Sequence, residues 1–294
     1  MSERDPTEFR PGRESSPWTF VIIVLVLIAA GAGWWYWSQR QVEPPPPPPA
    51  ASAPPSDNPP APAPAAVASG PQNPVDALAA PDAALPALAD ADAQVGDALT
   101  DLLGKKSVAS FLQLDGFVRR FVATVDNLPR AQAPARVWPL NPAPQRFTVQ
   151  GEGDNQTISA DNGSRYTPFV LFAESVDTAR AVAVYARLYP LFQQAYEELG
   201  YPGRYFNDRL VAVLDHLLQA PEPSGPVRVT LTEVKGDQAP DRPWVRYEFA
   251  DPQLQALSAG QKMMVRMGPV NERRMKTKLT ELRRQIATGA MAKK

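Results

Sequence analysis

Hydrophobic and polar residues follow three different patterns along this chain of 294 residues. The first is an uncharged stretch, WTFVIIVLVLIAAGAGWWYW, at residues 18–37. A helix of this length rises about 1.5 Å per residue and spans roughly 30 Å, the thickness of the hydrocarbon core of a bilayer. The Trp and Tyr residues at its two ends suit the headgroup level, where their rings keep one polar edge wet. The pattern predicts a transmembrane helix over residues 18–37.

The direction of the predicted span follows from the arginines around it. Three precede it and one follows it closely: Arg4, Arg10, Arg13 and Arg40. The positive-inside rule then makes residues 1–17 a cytoplasmic tail and places the rest of the chain outside the cytoplasm. A signal peptide cleaved near residues 30–32 is disfavoured because the apolar run exceeds a usual h-region. Ala29 and Gly33 form a small-xxx-small pair, which leaves a homodimer open.

The second pattern is a linker over residues 38–83, rich in Pro and Ala. Residues 44–74 contain fourteen prolines, beginning with six in a row. Proline fixes φ and donates no backbone hydrogen bond, so this stretch is disordered or polyproline-II rather than helix or central strand. At about 3.1 Å per residue it reaches up to roughly 90 Å. The composition favours a spacer over a recognition segment, and the spacer predicts that a distal domain is held away from the membrane.

The third pattern is helical periodicity over residues 84–294. Four segments place apolar residues on one face of a helix, and they begin near Asp115, Asp177, Phe206 and Pro269. Asp115 is the predicted N-cap of the first. In the second, Pro190 is expected to kink the helix, and Gly200 and Pro202 to end it.

Two stretches of this domain alternate apolar and polar residues with period two. Residues 227–231 (VRVTL) and 245–249 (VRYEF) predict an antiparallel hairpin around the loop between them. Residues 146–159 read as a shorter hairpin. The predicted fold class is therefore mainly α (α+β), a helical distal domain with a small antiparallel β-hairpin.

Five segments of the distal domain resemble a known family. They are RRFVATVDNLPR (119–130), WPLNPAPQRFTV (138–149), YPLFQQAYEELGYP (189–202), FNDRLVAVLDHLL (206–218) and FADPQLQALSAGQKMMVRMGP (249–269). Together they are similar to a proteobacterial envelope family catalogued as domain of unknown function 3014. The resemblance implies a single-span inner-membrane protein with a periplasmic domain. It implies no activity, so no catalytic or binding residue is carried over from it.

The sequence offers few groups for catalysis or metal binding. It has no cysteine and one histidine, His216, so disulfides, thiolate nucleophiles and thiolate metal sites are excluded. His216 lies opposite the leucine face of its helix, where a solvent-facing or locally hydrogen-bonded histidine is expected. No nucleophile elbow, phosphate-binding loop or calcium loop is present. We therefore predict no catalytic, cofactor-binding or metal-binding residue, and no cofactor.

Arg130 and Arg209 are a candidate anion clamp. Both lie in segments rich in Asn, Asp and Arg at a helix end, DNLPR and YFNDR. Two guanidinium groups brought together would bind a carboxylate or phosphate. The favoured alternative is structural, a combination of capping and internal salt bridges. Asn207 or Asp208 would cap the start of its helix, and Arg130 would bind the last carbonyls of the preceding one.

Charge is strongly segregated although the net charge is −1. Residues 41–104 contain eight acids and no base, whereas residues 262–294 contain ten bases and two acids. The basic C-terminal segment is a candidate interaction surface formed by Lys262, Arg266, Arg273, Arg274, Lys278, Arg283 and Arg284. It would meet an envelope protein, a cell-wall polymer or anionic lipid. The alternative is internal pairing with the acidic first helix, around Asp90, Asp92, Asp97 and Asp101.

These features predict a protein anchored in the bacterial inner membrane that presents a binding or scaffold domain to the periplasm. The linker favours this hypothesis, because reach matters most to a protein that meets a distant target. Nucleic acid is not an expected partner in that compartment. One alternative is an envelope enzyme such as a peptidoglycan hydrolase, which would need two facing acids in a cleft. Another is a TonB-like coupling protein, which the layout resembles, although the span lacks a polar residue to couple to a proton gradient.

Overall fold

The computed structural model describes residues 70–78, 80–82, 84–232 and 243–289. The predicted transmembrane segment and most of the predicted linker lie outside these residues. Among the helices that are described, none is both long and apolar enough to cross a membrane. Val67–Lys294 form one compact unit. The unit contains its own hydrophobic cores, which is what a domain needs to fold independently.

The described residues are mainly helical, as the sequence predicts. Ten α-helices occur among them: α1 Asp92–Leu103, α2 Lys105–Phe111, α3 Phe117–Asn127, α4 Asn162–Ser175, α5 Thr178–Arg187, α6 Tyr189–Glu198, α7 Phe206–Leu218, α8 Pro252–Gln255, α9 Ala259–Arg266 and α10 Pro269–Ile286. The four short strands described are β1 Val149–Gln150, β2 Thr157–Ile158, β3 Val229–Leu231 and β4 Tyr247–Phe249. The C-terminal helix α10 packs against α4, α5 and α7, and α3 packs against α6 and α7.

Two predicted helix boundaries are wrong. Helix α3 is preceded by Gly116 in the left-handed conformation at φ +60°, and the exposed Asp115 side chain does not cap it. Glycine adopts this conformation without the strain that a Cβ would bring. The helix that Asp177 caps, through the backbone N–H of Arg180, ends at Arg187. Pro190 then lies in the first turn of α6, where its missing N–H breaks no helical hydrogen bond.

Both predicted hairpins are confirmed. Strands β3 and β4 are antiparallel with Val229 opposite Phe249, and β1 and β2 are antiparallel with Val149 opposite Ile158. Backbone hydrogen bonds join the two hairpins, because the N–H of Ile158 donates to the carbonyl of Val227 at 2.9 Å. The buried Val229 and Phe249 pack with Val265 of α9, so the β element has its own apolar face.

The principal core is aromatic at its centre. Phe206, at the start of α7, is fully buried. Its ring lies near those of Phe121, Phe192 and Tyr196 at centroid distances between 5.4 and 6.3 Å. Such offset and edge-on arrangements are favoured by the ring quadrupoles. The last residue of α10, Ile286, is buried in the same core, so the C-terminal helix is part of the domain's interior.

The end of the predicted linker is fixed to the domain by a carboxylate. Asp208 of α7 accepts hydrogen bonds from the backbone N–H groups of Gln72 and Asn73, at 2.9 and 2.7 Å, and from the Asn73 side-chain amide at 3.0 Å. Two residues further on, Val75 is buried and its N–H donates to the hydroxyl of Tyr205. We call these contacts of residues 72–75 the N-terminal clasp.

The other half of the clasp joins the two ends of the domain. The side-chain amide of Asn207 donates to the carbonyls of Asn73 and Ile286, at 2.9 and 3.1 Å. The hydroxyl of Thr288 donates to the carbonyl of Pro74. The prediction that Asn207 or Asp208 caps α7 is therefore wrong, since α7 has no side-chain cap and both residues bind the N-terminal segment. Only the tertiary fold brings that segment to them.

Candidate functional site

The two arginines of the predicted clamp do come together, on a carboxylate of the protein itself. Asp126, near the end of α3, is buried with 3% of its side chain exposed. Arg130 binds one of its oxygens, and the Nε of Arg209 donates to the other at 3.1 Å. The hydroxyl of Tyr201 donates to Asp126 at 3.1 Å, and Arg130 donates to that hydroxyl at 2.9 Å. We call these four residues the Asp126 cluster.

This arrangement explains why Asp126 can be buried as a charged group. Both oxygens accept charge-assisted hydrogen bonds, which are roughly twice as strong as neutral ones. The attraction of Asp126 raises the pKa of Arg130, and the hydrogen bond between them adds to the effect. The cluster carries two positive charges and one negative charge, and it joins α3 to α7 and to the loop after α6. The anion that the two arginines bind is therefore Asp126 of the protein itself.

The end of α3 is capped by backbone rather than by Arg130, so that expectation is also wrong. The N–H groups of Ala259 and Gly260, at the start of α9, donate to the carbonyls of Arg130 and Leu128 at 2.7 and 2.8 Å. A Cβ at Gly260 would lie 2.4 Å from the Leu217 side chain and 3.1 Å from the Leu128 carbonyl. Glycine at 260 therefore allows the start of α9 to reach these carbonyls.

A groove of about 480 Å³ lies between α3, α6 and the turn Ala135–Val137. Its floor is apolar and includes Ala123, Val137 and Ala195, with Leu199 at one edge. Its rim is charged and includes Arg119, Arg120, Arg136, Asp115 and Glu198. We call this depression the α3–α6 groove. The spacing 119, 123, 126 places Arg119, Ala123 and Asp126 on one face of α3, the face that packs on α6.

The ion pairs of the groove differ in how firmly they are held. Arg119 donates to Glu198 at 3.0 Å, and the two side chains are 49% and 43% exposed. The hydrogen bond from Arg119 lowers the pKa of Glu198, with a further contribution from the Gln194 amide. Arg120 instead donates to two backbone carbonyls, those of Asp115 and Arg136, at 2.8 and 2.7 Å. Arg120 therefore joins the backbone at Asp115 to the backbone at Arg136, whereas Arg119 and the exposed Arg136 side chain face solvent.

Sequence reasoning missed these arginines. The sequence pattern that could have identified them is the pair Arg119-Arg120, on a helix whose other face is strongly apolar. It could not be interpreted without Arg136, which the fold brings from a separate segment. Residue spacing identifies a face of one helix, but not the segment that packs across from it.

The predicted basic surface near the C-terminus is largely engaged in internal contacts. Five of its seven side chains bind neighbouring protein groups, in the pairs Lys262–Gln255, Arg266–Tyr247, Arg274–Glu174, Lys278–Val176 and Arg283–Asp215. The remaining two, Arg273 and Arg284, lie on the exposed side of α10. Arg273 is 3.9 Å from Glu222. The surface that α10 presents is therefore less basic than its sequence.

Internal pairing of the basic helix occurs, but with other acids than expected. The described ion pairs of α10 with the rest of the domain go to Glu174 of α4, Asp215 of α7 and Glu222 after α7. The acidic helix α1 packs instead on α2, α3 and α5. Its Asp92 accepts the backbone N–H of Gly116 at 2.8 Å. Opposite total charge in two segments did not identify neighbours, because apolar faces decide which helices pack together.

A second buried acid lies on α10. Glu272 has 1% of its side chain exposed, and its Oε1 is 3.2 Å from the Nζ of Lys276. Lys276 is shared, since it also donates to Glu222 at 2.8 Å and to the Ala220 carbonyl at 2.6 Å. Burial raises the pKa of Glu272, and the attraction of Lys276 offsets this only in part. Burial opposes the charge of Lys276, but its bonds to Glu222 and Glu272 outweigh burial and raise its pKa.

The lone histidine has a structural contact. His216 Nε2 lies 2.8 Å from the hydroxyl of Ser258, which caps α9 by accepting the N–H of Gln261. His216 is therefore hydrogen-bonded, but to a residue of another segment and not locally on its own helix as expected from the sequence. Within the part of the chain that the structure describes, no three His, Cys, Asp or Glu residues are grouped so as to hold a metal ion.

Over the described residues, the fold and these sites define a mainly helical domain with an arginine-lined groove between α3 and α6. Residues 117–283 match the family described as Protein of unknown function (DUF3014). This match covers more than half of the chain, so the protein belongs to that family. No curated protein and no solved structure matches the chain significantly.

Proposed function

We propose that this protein is a membrane-anchored binding module of the bacterial cell envelope, located in the inner membrane with its domain in the periplasm. Residues 18–37 anchor it, the proline-rich linker carries the domain away from the bilayer, and the α3–α6 groove binds an anionic partner. The observation that carries the proposal is the groove, where arginines from two segments surround an apolar floor.

Exposed arginines at the groove suit a carboxylate-bearing partner. A guanidinium group binds a carboxylate through two parallel hydrogen bonds. The ion pair of Arg119 with Glu198 is exposed, and such pairs contribute little to stability, so an incoming carboxylate can compete for Arg119. Arg136, in the turn Ala135–Val137, lines the same groove. Apolar parts of the partner lie on Ala123, Val137 and Leu199.

A cell-wall polymer fits this chemistry and the reach of the chain. Cell-wall peptides carry carboxylates, and the wall lies away from the membrane. A linker that reaches up to roughly 90 Å favours a distant target over the headgroups of the protein's own bilayer. The N-terminal clasp fixes the end of the linker to the core through Asp208 and Asn207. A linker that positions a binding domain needs such an attachment, so the clasp supports the same proposal.

Glu198 of the groove is poorly suited to be the general acid of a glycoside hydrolase. A hydrolase needs one carboxyl group that keeps its proton near neutral pH, and hence a raised pKa. In the groove, Arg119 lowers the pKa of Glu198. Glu272, whose pKa is raised, lies on α10 in an ion pair with Lys276.

The test is co-sedimentation of the full chain with isolated cell-wall sacculi. We expect retention that weakens with salt and falls at least fivefold in the double variant Arg119→Ala/Arg136→Ala. The matched control is Arg273→Ala/Arg284→Ala, which removes two exposed arginines from α10. Its retention should equal that of the wild type.

Two results would overturn the proposal. If the α10 variant loses retention while the groove variant keeps it, the basic C-terminal surface is the binding face. If the wild-type chain is not retained at all, the cell wall is not the partner.

A further inference from the structure

A second cavity, of about 200 Å³, lies on the other side of helix α3. It is separate from the α3–α6 groove, since Phe117 and Phe121 face it from α3 whereas Arg119 and Ala123 face the groove. Helices α1 and α5 supply most of its other walls. Protein interiors are packed as densely as organic crystals, with few voids larger than a water molecule. A cavity of this size in the principal core is therefore unusual, and it has room for a small ligand.

The walls of the cavity determine what that occupant can be. Of the residues that line it, only Tyr185 carries a polar side-chain atom. The Tyr185 hydroxyl is already engaged, since it donates to the side-chain oxygen of Asn207 at 3.2 Å. A water molecule needs two to four polar partners, and an apolar cavity of about 150 Å³ stays dry and binds benzene. Water is therefore a poor occupant, and a hydrocarbon is a good one.

The burial of the walls changes from one end of the cavity to the other. Val95, Val182 and Phe192 are buried and form its deep end. Leu102 of α1 and Val184 of α5 are only half-buried, and the gap between these two helices is taken as the route from solvent into the cavity. An elongated molecule can enter there with its apolar end first and leave its other end outside.

Polar groups flank the opening. Arg180 is next to the lining residue Ala181 and donates to the backbone carbonyl of Asp101, the neighbour of Leu102, at 3.4 Å. The walls are mainly branched aliphatic side chains, which pack closely around a flexible chain. We propose that this cavity binds the alkyl chain of an amphiphile, with its polar head at the opening between α1 and α5.

The proposal can be tested on residues 67–294, which form one compact unit with its own cores. This unit omits the apolar segment and needs no detergent, whose alkyl chains would compete. The probe is 1-octanol, and its matched control is 1,8-octanediol, which has a hydroxyl at both ends. Titration calorimetry should show that octanol binds with a negative heat-capacity change and at least tenfold more tightly than the diol.

A pair of variants on α5 locates the site. Ala181→Leu fills the cavity and should weaken octanol binding at least tenfold, whereas Ala183→Leu, at an exposed position on the same helix, should leave it unchanged. If Ala181→Leu does not fold, Val184→Phe closes the opening without entering the deep end. Equal binding of octanol and octanediol, or unchanged binding in both cavity variants, would overturn the proposal.

A second experiment, flotation of the protein with phosphatidylglycerol vesicles, distinguishes a bilayer lipid from a free amphiphile as the source of the alkyl chain. Flotation of the wild-type unit that Val184→Phe abolishes would assign the chain to a bilayer lipid. Octanol binding without flotation would assign it to a free amphiphile. Because neither experiment involves Arg119 or Arg136, these results are independent of the proposed function of the groove.

Discussion

Asp126 and Glu272 are both almost completely buried carboxylates, with 3% and 1% of their side chains exposed, yet their surroundings differ. Asp126 accepts hydrogen bonds from two guanidinium groups and a phenol. Glu272 has only the ammonium group of Lys276, which it shares with Glu222 and the Ala220 carbonyl. Among the described contacts, Oε1 of Glu272 lacks a hydrogen bond of good geometry.

The two buried carboxylates differ in the number and geometry of the donors that reach them. A buried charge is tolerated when enough donors reach it in good geometry, and otherwise burial favours the neutral form. Three donors surround Asp126, whereas burial raises the pKa of Glu272 despite its nearby lysine. Arginine presents donors in a rigid fork, and lysine presents a compact charge that is easily shared. Asp126 should therefore stabilise the fold, and Glu272 should make stability depend on pH.

The largest expected effect is that of Asp126→Asn. An amide cannot accept from Arg130, Arg209 and Tyr201 as a carboxylate does, so the variant leaves two cations without their anion. Removing one member of a fully buried pair costs about 3–5 kcal/mol, and because both arginines are partly exposed we expect a loss of about 2–3 kcal/mol. Urea unfolding of residues 67–294 measures it. Asp115→Asn, at an exposed carboxylate of the same helix region, should change the free energy of unfolding by less than about 0.5 kcal/mol.

A double-mutant cycle on Asp126 and Arg209 isolates their interaction. Using Asp126→Asn and Arg209→Met, we expect a coupling free energy of about 1–2 kcal/mol. The same cycle on the exposed pair Arg119 and Glu198 should give a coupling free energy close to zero, clearly smaller than that of the buried pair. Equal couplings in the two cycles would mean that burial adds nothing to the Asp126 cluster.

A third carboxylate, Asp208, extends the comparison to backbone donors. It accepts two backbone N–H groups and one amide from residues 72 and 73. Asp208→Ala should lower the free energy of unfolding by about 1–1.5 kcal/mol, a typical net value for hydrogen bonds to a charged group at a partly exposed site. Hydrogen exchange should show faster exchange of the amide of Val75, while the Phe206 amide stays protected. Unchanged protection at Val75 would contradict the role assigned to the clasp.

The smallest effect at neutral pH is expected for Glu272→Gln, and it should vary with pH. Since burial raises the pKa of Glu272 in the folded state, this residue favours folding most when it is protonated, below its ordinary pKa of 4.5. Its contribution is lost as pH rises from there through the raised folded-state pKa. The free energy of unfolding of Glu272→Gln, relative to that of the wild type, should therefore increase between pH 4 and 7. A relative decrease over this range would show that Lys276 fully compensates the buried charge.

Local sequence patterns predicted the elements of the domain better than its contacts. Apolar spacing correctly indicated α7, α10 and both hairpins, because these patterns follow from the geometry of a single element. The prediction that Asp115 is the N-cap of α3 was wrong, because Gly116, in the left-handed conformation, occupies the N-cap position. Membership of the DUF3014 family, indicated by five segments, was confirmed over residues 117–283. The anchor at 18–37 and its orientation stay predictions.

The candidate site was less accessible to sequence reasoning, for a physical reason. Internal salt bridges of Arg130 and Arg209 were predicted, but Asp126 was not recognised as the carboxylate that both of them bind. Nor did the sequence indicate that Arg136 lines the same groove as Arg119, or that Asp208 binds residues 72 and 73. Each of these contacts joins segments that are distant in sequence and are brought together by packing of apolar faces.

The most direct test of the central claim compares two exposed apolar positions by site-specific photo-cross-linking in the full chain in living cells. Leu199 lies at the edge of the α3–α6 groove and Val270 at the start of α10, and both are large exposed hydrophobic residues. A photoreactive residue at 199 is expected to cross-link the protein to cell-wall material, and the cross-link should disappear in Arg119→Ala/Arg136→Ala. The same residue at 270 is expected to give none. Cross-links from position 270 but not from 199 would contradict the groove as the binding face.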